Sequence, residues 1–191
     1  MTADRAGRKS SDREDPENFP IPKPTYLRRH VIQGFAEQVA KKFELMIGQD
    51  LEDLVERLGG KLVRMSFPDV AEVERRIGSI AIWSPNRFKI FLLEPQDMGP
   101  VSTRETIAHE LGHLFLHYPL AGGRMRANHT VPEKETRLAE LEAIWFAEAF
   151  LVPREPLSQL HRKEGNNYTD LAARFSVSEL TIRNRIAAIG A

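Results

Sequence analysis

The segment His109-Glu110-Leu111-Gly112-His113 sets two imidazoles four residues apart. On a helix that spacing sends both rings off one face about a turn apart, where they can share one metal ion. Glu110, one residue on, points beside the ion and is positioned to take a proton from water that the ion acidifies, the arrangement for metal-assisted hydrolysis. The bland alternative is a pair of partly buried helix histidines hydrogen-bonded to their neighbours. Ligand type points to zinc, with manganese or another divalent ion as the alternative.

A catalytic zinc takes three protein ligands and keeps one position open. A third histidine of the longer HExxHxxGxxH pattern is excluded, because Leu116 and Pro119 stand at its positions. His117 continues the four-residue stagger, but on an α-helix it rotates roughly 80° from His109 and reads as a supporting or helix-end histidine. Acids come from the later helical stretch 133–152. At about 100° per residue, Glu142 shares its direction with Leu138, Trp145, Phe146 and Ala149, which sets a carboxylate in an apolar stripe. A metal ion would offset the cost of burying it, so Glu142 is the expected third ligand; the alternative is an ion pair with Arg137 or Arg174. Glu140, about 160° away on the same helix, is expected to face solvent.

These residues need elements to hold them. Val31, Phe35, Val39, Phe43 and Ile47 recur every four positions after Thr25, a candidate N-cap, and predict an amphipathic helix up to Gly48. A short helix over Leu51 to Leu58 stops at Gly59-Gly60. Strands are expected at Leu62 to Phe67, Ser79 to Ser84 and Phe88 to Glu94, forming a small antiparallel sheet. Ser102 to His117 has helical spacing, with Ser102 and Glu105 offering a capping box. Pro132 and Pro153 bracket the second long helix, and weaker helices follow at Tyr168 to Phe175 and Ser178 to Ile189. The fold class is therefore α+β, with the sheet packed on the two metal-binding helices and extra helices at both ends.

The 191 residues suit one domain, read as a disordered leader (1–24), a metal-binding domain with its leading helix (25–155) and a helical extension (156–191). Lysine plus arginine (27) equal aspartate plus glutamate (27), so no global field draws the chain to nucleic acid or anionic lipid. With no cysteine there are no disulfides, thiol nucleophiles or cysteine-bound metals. The charged first residues lack a secretory apolar run and no stretch is long enough to span a bilayer, so a soluble cytoplasmic protein is expected.

The chain resembles the ImmA/IrrE family of zincin-like metallopeptidases. The resemblance rests on Thr106-Ile107-Ala108-His109-Glu110-Leu111-Gly112-His113, on Gly78 to Ile82 and Lys89 to Leu92, and on Glu140 to Ala147 leading to Leu151-Val152-Pro153. It covers about Leu51 to Pro153, more weakly to Ala188. It implies zinc on His109, His113 and the glutamate before the alanine, Glu142, with Glu110 catalytic. It also implies a protein substrate, a helix-turn-helix transcriptional repressor. Ile144 stands where asparagine is usual and Val152 where methionine is common.

An extended substrate is expected to pair with a free sheet edge at Lys89 to Leu93. Tyr118, His129, His161 and Tyr168 are the candidates for stabilising an oxyanion. Two rival functions remain. Asp170 to Ser178 followed by Leu180 to Ile189 resembles a helix-turn-helix in which Arg183 and Arg185 reach DNA phosphates, although Ser176 replaces the usual turn glycine. A metal-bearing protein that holds a partner without cutting it is the other.

Overall fold

The computed structural model describes residue 16 and residues 19–65, 80–93, 100–127, 134–165 and 167–190. In chain order the elements are α1 (Arg29–Lys42), α2 (Glu52–Arg57), β1 (Gly60–Met65), β2 (Ile80–Ser84), β3 (Arg87–Leu93), α3 (Pro100–Gly112), β4 (Met125–Ala127), α4 (Lys134–Leu151), α5 (Arg154–Glu164), α6 (Tyr168–Phe175) and α7 (Glu179–Ile189). After Gly112, α3 continues through a π-turn (His113–His117) into a 3-10 turn (Tyr118–Leu120).

The α+β expectation holds. Alternating apolar residues make the sheet's inner face: Ile80 and Ile82 of β2, Phe88, Ile90 and Leu92 of β3 are all buried. The strand order is β1-β3-β2-β4, with β2 antiparallel to both β3 and β4 and β1 parallel to β3. β3 is thus interior, and the expected free edge at Lys89 to Leu93 does not exist: Lys89 faces Lys61 on one side and Ala81 on the other. β4 was not legible in the sequence, being three residues long with half-buried Arg126 in the middle. Its Arg126 N–H donates to Pro20 O (2.9 Å), so the chain before α1 runs beside that strand.

α3 packs on β3, and α4 lies between α3 and α1. The strict four-residue spacing in α1 misplaces its buried face. Each such step drifts about 40° on an α-helix, so four steps sweep past one face. Ile32, Gln33, Ala36, Val39 and Ala40 are the buried residues, while Val31 and Phe35 are partly exposed. The helix starts at Arg29, four residues after the expected cap: Thr25 Oγ1 accepts instead from Leu27 N–H (3.2 Å) in a local turn. Phe19, Pro22 and Pro24 are buried, with Phe19 edge-on to Trp83 at 5.6 Å. The described end of the expected leader is therefore packed; most of that leader lies outside the described residues.

α3 already begins at Pro100, so the N-cap position expected at Ser102 falls inside the helix. Glu105 instead accepts from Ser178 N–H (2.8 Å), Ser178 Oγ (2.9 Å) and Thr181 Oγ1 (2.6 Å), fastening the start of α7. α5 was also missed. Pro153 ends α4, but the proline at 156 sits in the first turn of α5, where a missing N–H costs no helical bond.

α6 and α7 are docked on the domain. Buried Arg104 donates to Gln49 O (2.8 Å), Phe175 O (2.7 Å) and Ser176 O (3.1 Å), replacing water around carbonyls that α6 leaves open. Ser176 takes a left-handed conformation (φ 50°) as the C-cap of α6, the role usually given to glycine. Arg185 is 1% exposed, donates to Val152 O and pairs with Glu37. It is inside the fold, which removes one of the two arginines expected to meet DNA phosphates. The other, Arg183, lies over the Tyr168 ring at 4.1 Å.

Candidate metal centre

His109 is in the last turn of α3, and His113 opens the π-turn that follows. Both project toward α4. Gly112 lets the helices meet: a Cβ there would lie 3.1 Å from Ala143 Cα and from Ala143 O, tighter than nine in ten such contacts. Phe146 of α4 stacks on Phe115 of the π-turn (5.8 Å, 24°) and fixes the rotation of α4 against it.

The carboxylate brought to the two histidines is that of Glu140. His109 Nε2 lies 3.0 Å from Glu140 Oε2, His113 Nε2 lies 3.3 Å from Glu140 Oε1, and the two Nε2 atoms are 3.2 Å apart. The side chains of His109 and Glu140 are 14% and 20% exposed, so solvent reaches the cluster. Burial pushes His113 down to about 3, against the raising effect of Glu140, and its ring is neutral near pH 7 with a lone pair to give.

This donor set fits a divalent ion. Two imidazole nitrogens and a carboxylate are the ligands zinc takes when it keeps one position open. A zinc tetrahedron with bonds of about 2.0–2.1 Å has edges of about 3.3–3.4 Å, close to the separations found here.

Glu142 is not in this group. It is fully buried, as its place in the apolar stripe required, yet its partners are His117 Nε2 (3.0 Å), Thr25 N–H (2.7 Å) and Tyr26 N–H (2.9 Å). Burial raises its pKa, but hydrogen bonds from His117 and Thr25 outweigh this and hold the carboxyl below its ordinary value. The expectation that Glu142 faces the metal and Glu140 faces water is reversed in position. The single-stripe reading assumed one buried face; α4 has two, Glu142 lying on the side of α1 and Glu140 on that of α3. The signal available in the sequence was the pair of acids two apart, which puts one on each side of such a helix.

His117 lies beneath His113, with Nδ1 to Nδ1 at 3.0 Å. A rotation computed for an α-helix carries it away, but the π-turn advances fewer degrees per residue and brings it back. Glu110 is fully buried beside His109.

A groove beside the cluster is lined by His109, Glu140, Ile144, Ala147, Leu151 and Leu180, with α7 as its far wall. Ile144 is 42% and Leu180 66% exposed, so an apolar surface adjoins the polar site. Of the expected oxyanion partners, Tyr118 donates to Gly123 O, Tyr168 lies under Arg183, and His129 is outside the described residues. None of Tyr118, His161 and Tyr168 lines the groove.

The sequence pattern of peptidase family M78, described as the IrrE N-terminal-like domain, matches residues 55–187. A comparison with curated proteins found no match. Among solved structures, a Mycobacterium tuberculosis transcriptional regulator has a similar fold, with a TM-score of 0.59 and 21% identity over 83% of this chain. The match takes in 47% of that structure, so this chain spans about half its length. Among the described residues no helix is long and apolar enough to cross a membrane.

Proposed function

The chain belongs to peptidase family M78, and from that premise we propose that it is a metal-dependent endopeptidase acting on a folded protein, a helix-turn-helix transcriptional repressor. His109, His113 and Glu140 hold the ion in this reading, and zinc is the ion. The observation that carries it is the convergence of two Nε2 atoms, 3.2 Å apart, on the Glu140 carboxylate, His109 lying 3.0 Å from Oε2 and His113 3.3 Å from Oε1.

A divalent ion there supplies Lewis acidity to a peptide carbonyl and acidifies water. Glu110 supplies the proton transfer, accepting a proton from the attacking water and passing it to the nitrogen that leaves. Burial keeps bulk water from competing for that carboxylate. The groove between α4 and α7 receives the polypeptide, with Ile144 and Leu180 offering apolar contact to its side chains.

The test is metal content of the purified protein beside Glu140→Ala, Glu142→Ala and Glu110→Gln, with cleavage of a repressor encoded next to it. One zinc per chain, lost in Glu140→Ala and kept in Glu110→Gln while cleavage stops, is the expected result. Retained cleavage in Glu110→Gln would refute the assigned base. Zinc without cleavage of any repressor in the parent protein would favour a partner-holding role.

A further inference from the structure

We propose that His117, Glu142 and the backbone N–H groups of Thr25 and Tyr26 form a positioning relay that fixes the tautomer and direction of the His113 ring, making the segment before α1 part of the metal site. The inference rests on His113 being a ligand, as proposed above.

The direction of the protons follows from which groups can only donate. Thr25 N–H and Tyr26 N–H reach one oxygen each of Glu142, at 2.7 and 2.9 Å. Both carboxylate oxygens are therefore acceptors. His117 Nε2, 3.0 Å from Glu142 Oε2, must then carry its hydrogen. His117 Nδ1 and His113 Nδ1 are 3.0 Å apart, so one hydrogen lies between them. With His113 a ligand through Nε2, the atom facing His109 and Glu140, that hydrogen belongs to His113 and His117 Nδ1 accepts it. The relay thus presents a lone pair where the ion needs one, as the outer partners of metal-binding histidines do.

Three features go beyond simple pairing of buried polar groups. His113, His117 and Glu142 are all 0% exposed, so bulk water does not reach the links among these three side chains. The π-turn, an uncommon element that recurs at functional sites, is what stacks His117 under His113. Tyr26 is held at φ 57°, a left-handed conformation uncommon outside glycine, in the turn from which two successive N–H groups reach Glu142. Thr25 and Tyr26 lie well before residue 55, where the family match begins.

The experiment combines nitrogen-15 NMR of the metal-free protein, which reads each imidazole's tautomer, with zinc affinity measured by chelator competition. Expected in the parent protein is a His113 ring with its hydrogen on Nδ1. In His117→Phe that preference is lost and zinc affinity falls about 10–100-fold. His117→Gln, whose amide can accept at one end and donate at the other, recovers part of it. Thr25→Pro, which removes the N–H and the hydroxyl that Thr25 offers to Glu142, weakens zinc binding in the same direction. Circular dichroism of each variant separates these losses from unfolding. An Nε2-protonated His113 in the parent protein would overturn the proposal. So would zinc affinity unchanged in both His117→Phe and Thr25→Pro, while loss of zinc in His113→Ala would leave the ligand assignment standing. Zinc retained in His113→Ala would defeat the ligand assignment itself.

Discussion

Gly112 packs against Ala143 across the two helices of the candidate site, where a Cβ on the glycine would lie 3.1 Å from both Ala143 Cα and Ala143 O. Alanine at Gly112 would gain about 1 kcal/mol in helix propensity, but the added methyl meets backbone, which cannot rotate aside, at an overpacking cost of about 1–3 kcal/mol. The helices must part by a few tenths of an ångström, and Glu140 moves away from the histidines. Gly112→Ala is expected to lower zinc affinity at least tenfold with little change in melting temperature. Equal affinity in isothermal titration would show that the close approach does not set the ligand distances.

Tyr26→Gly supplies a complementary case. Glycine adopts the left-handed conformation without strain and keeps the N–H that reaches Glu142. Relief of about 1 kcal/mol of strain is set against about the same gain in unfolded-chain entropy, so stability should change by less than about 1 kcal/mol. Zinc affinity should stay at the parent value. A large loss would mean that the exposed Tyr26 ring, not its backbone, supports the site.

Arg104 ties the end of α6 to the domain, holding the carbonyls of Phe175, Ser176 and Gln49 on one buried guanidinium. Arg104→Met leaves those carbonyls without donors at a cost on the order of 3 kcal/mol. Chemical denaturation should show a lower midpoint. Protease cleavage between α5 and α6 should become faster as the docked pair loosens.

The metal-free protein should lose stability as pH falls. Burial holds His113 near 3, far below the 6.5 of an unfolded histidine, so between those values the unfolded chain binds a proton the folded chain does not. Its contribution is fully present above pH 6.5 and is lost progressively on the way down to 3. Glu142, also held below its ordinary value, adds to the loss once pH falls below the usual carboxylate range. Melting temperature followed from pH 7 to pH 4 should decline, and His113→Asn should flatten the part of the curve above pH 5. A slope unaltered by that variant would mean other groups carry it.

Leu180 lines the groove from α7, and a charge there should disturb substrate without disturbing metal. Leu180→Glu is expected to reduce cleavage of the repressor about tenfold or more, with zinc content unchanged. Cleavage at the parent rate would place the polypeptide elsewhere.

Local chemistry was legible in the residues themselves. The four-residue step from His109 to His113 needs only one helix to bring two imidazoles together, and Ser102 to His117 carries helical spacing along its length, so the pair was visible without any tertiary contact. The α+β class followed in the same way from periods of two and of 3.6 residues. The third acid depended on which side of α4 meets α3 and which meets α1, a choice made by the packing of Gly112 on Ala143 and of Phe146 on Phe115. Helix rotation computed from one apolar stripe cannot see a second partner. The π-turn that returns His117 to His113, the parallel pairing of β1 with β3, and the chain at Thr25 and Tyr26 closing on Glu142 from 116 or more residues away are likewise products of long-range contact. Spacing along the chain determined what could bind a metal; only the packing of three helices decided which carboxylate faces the two histidines.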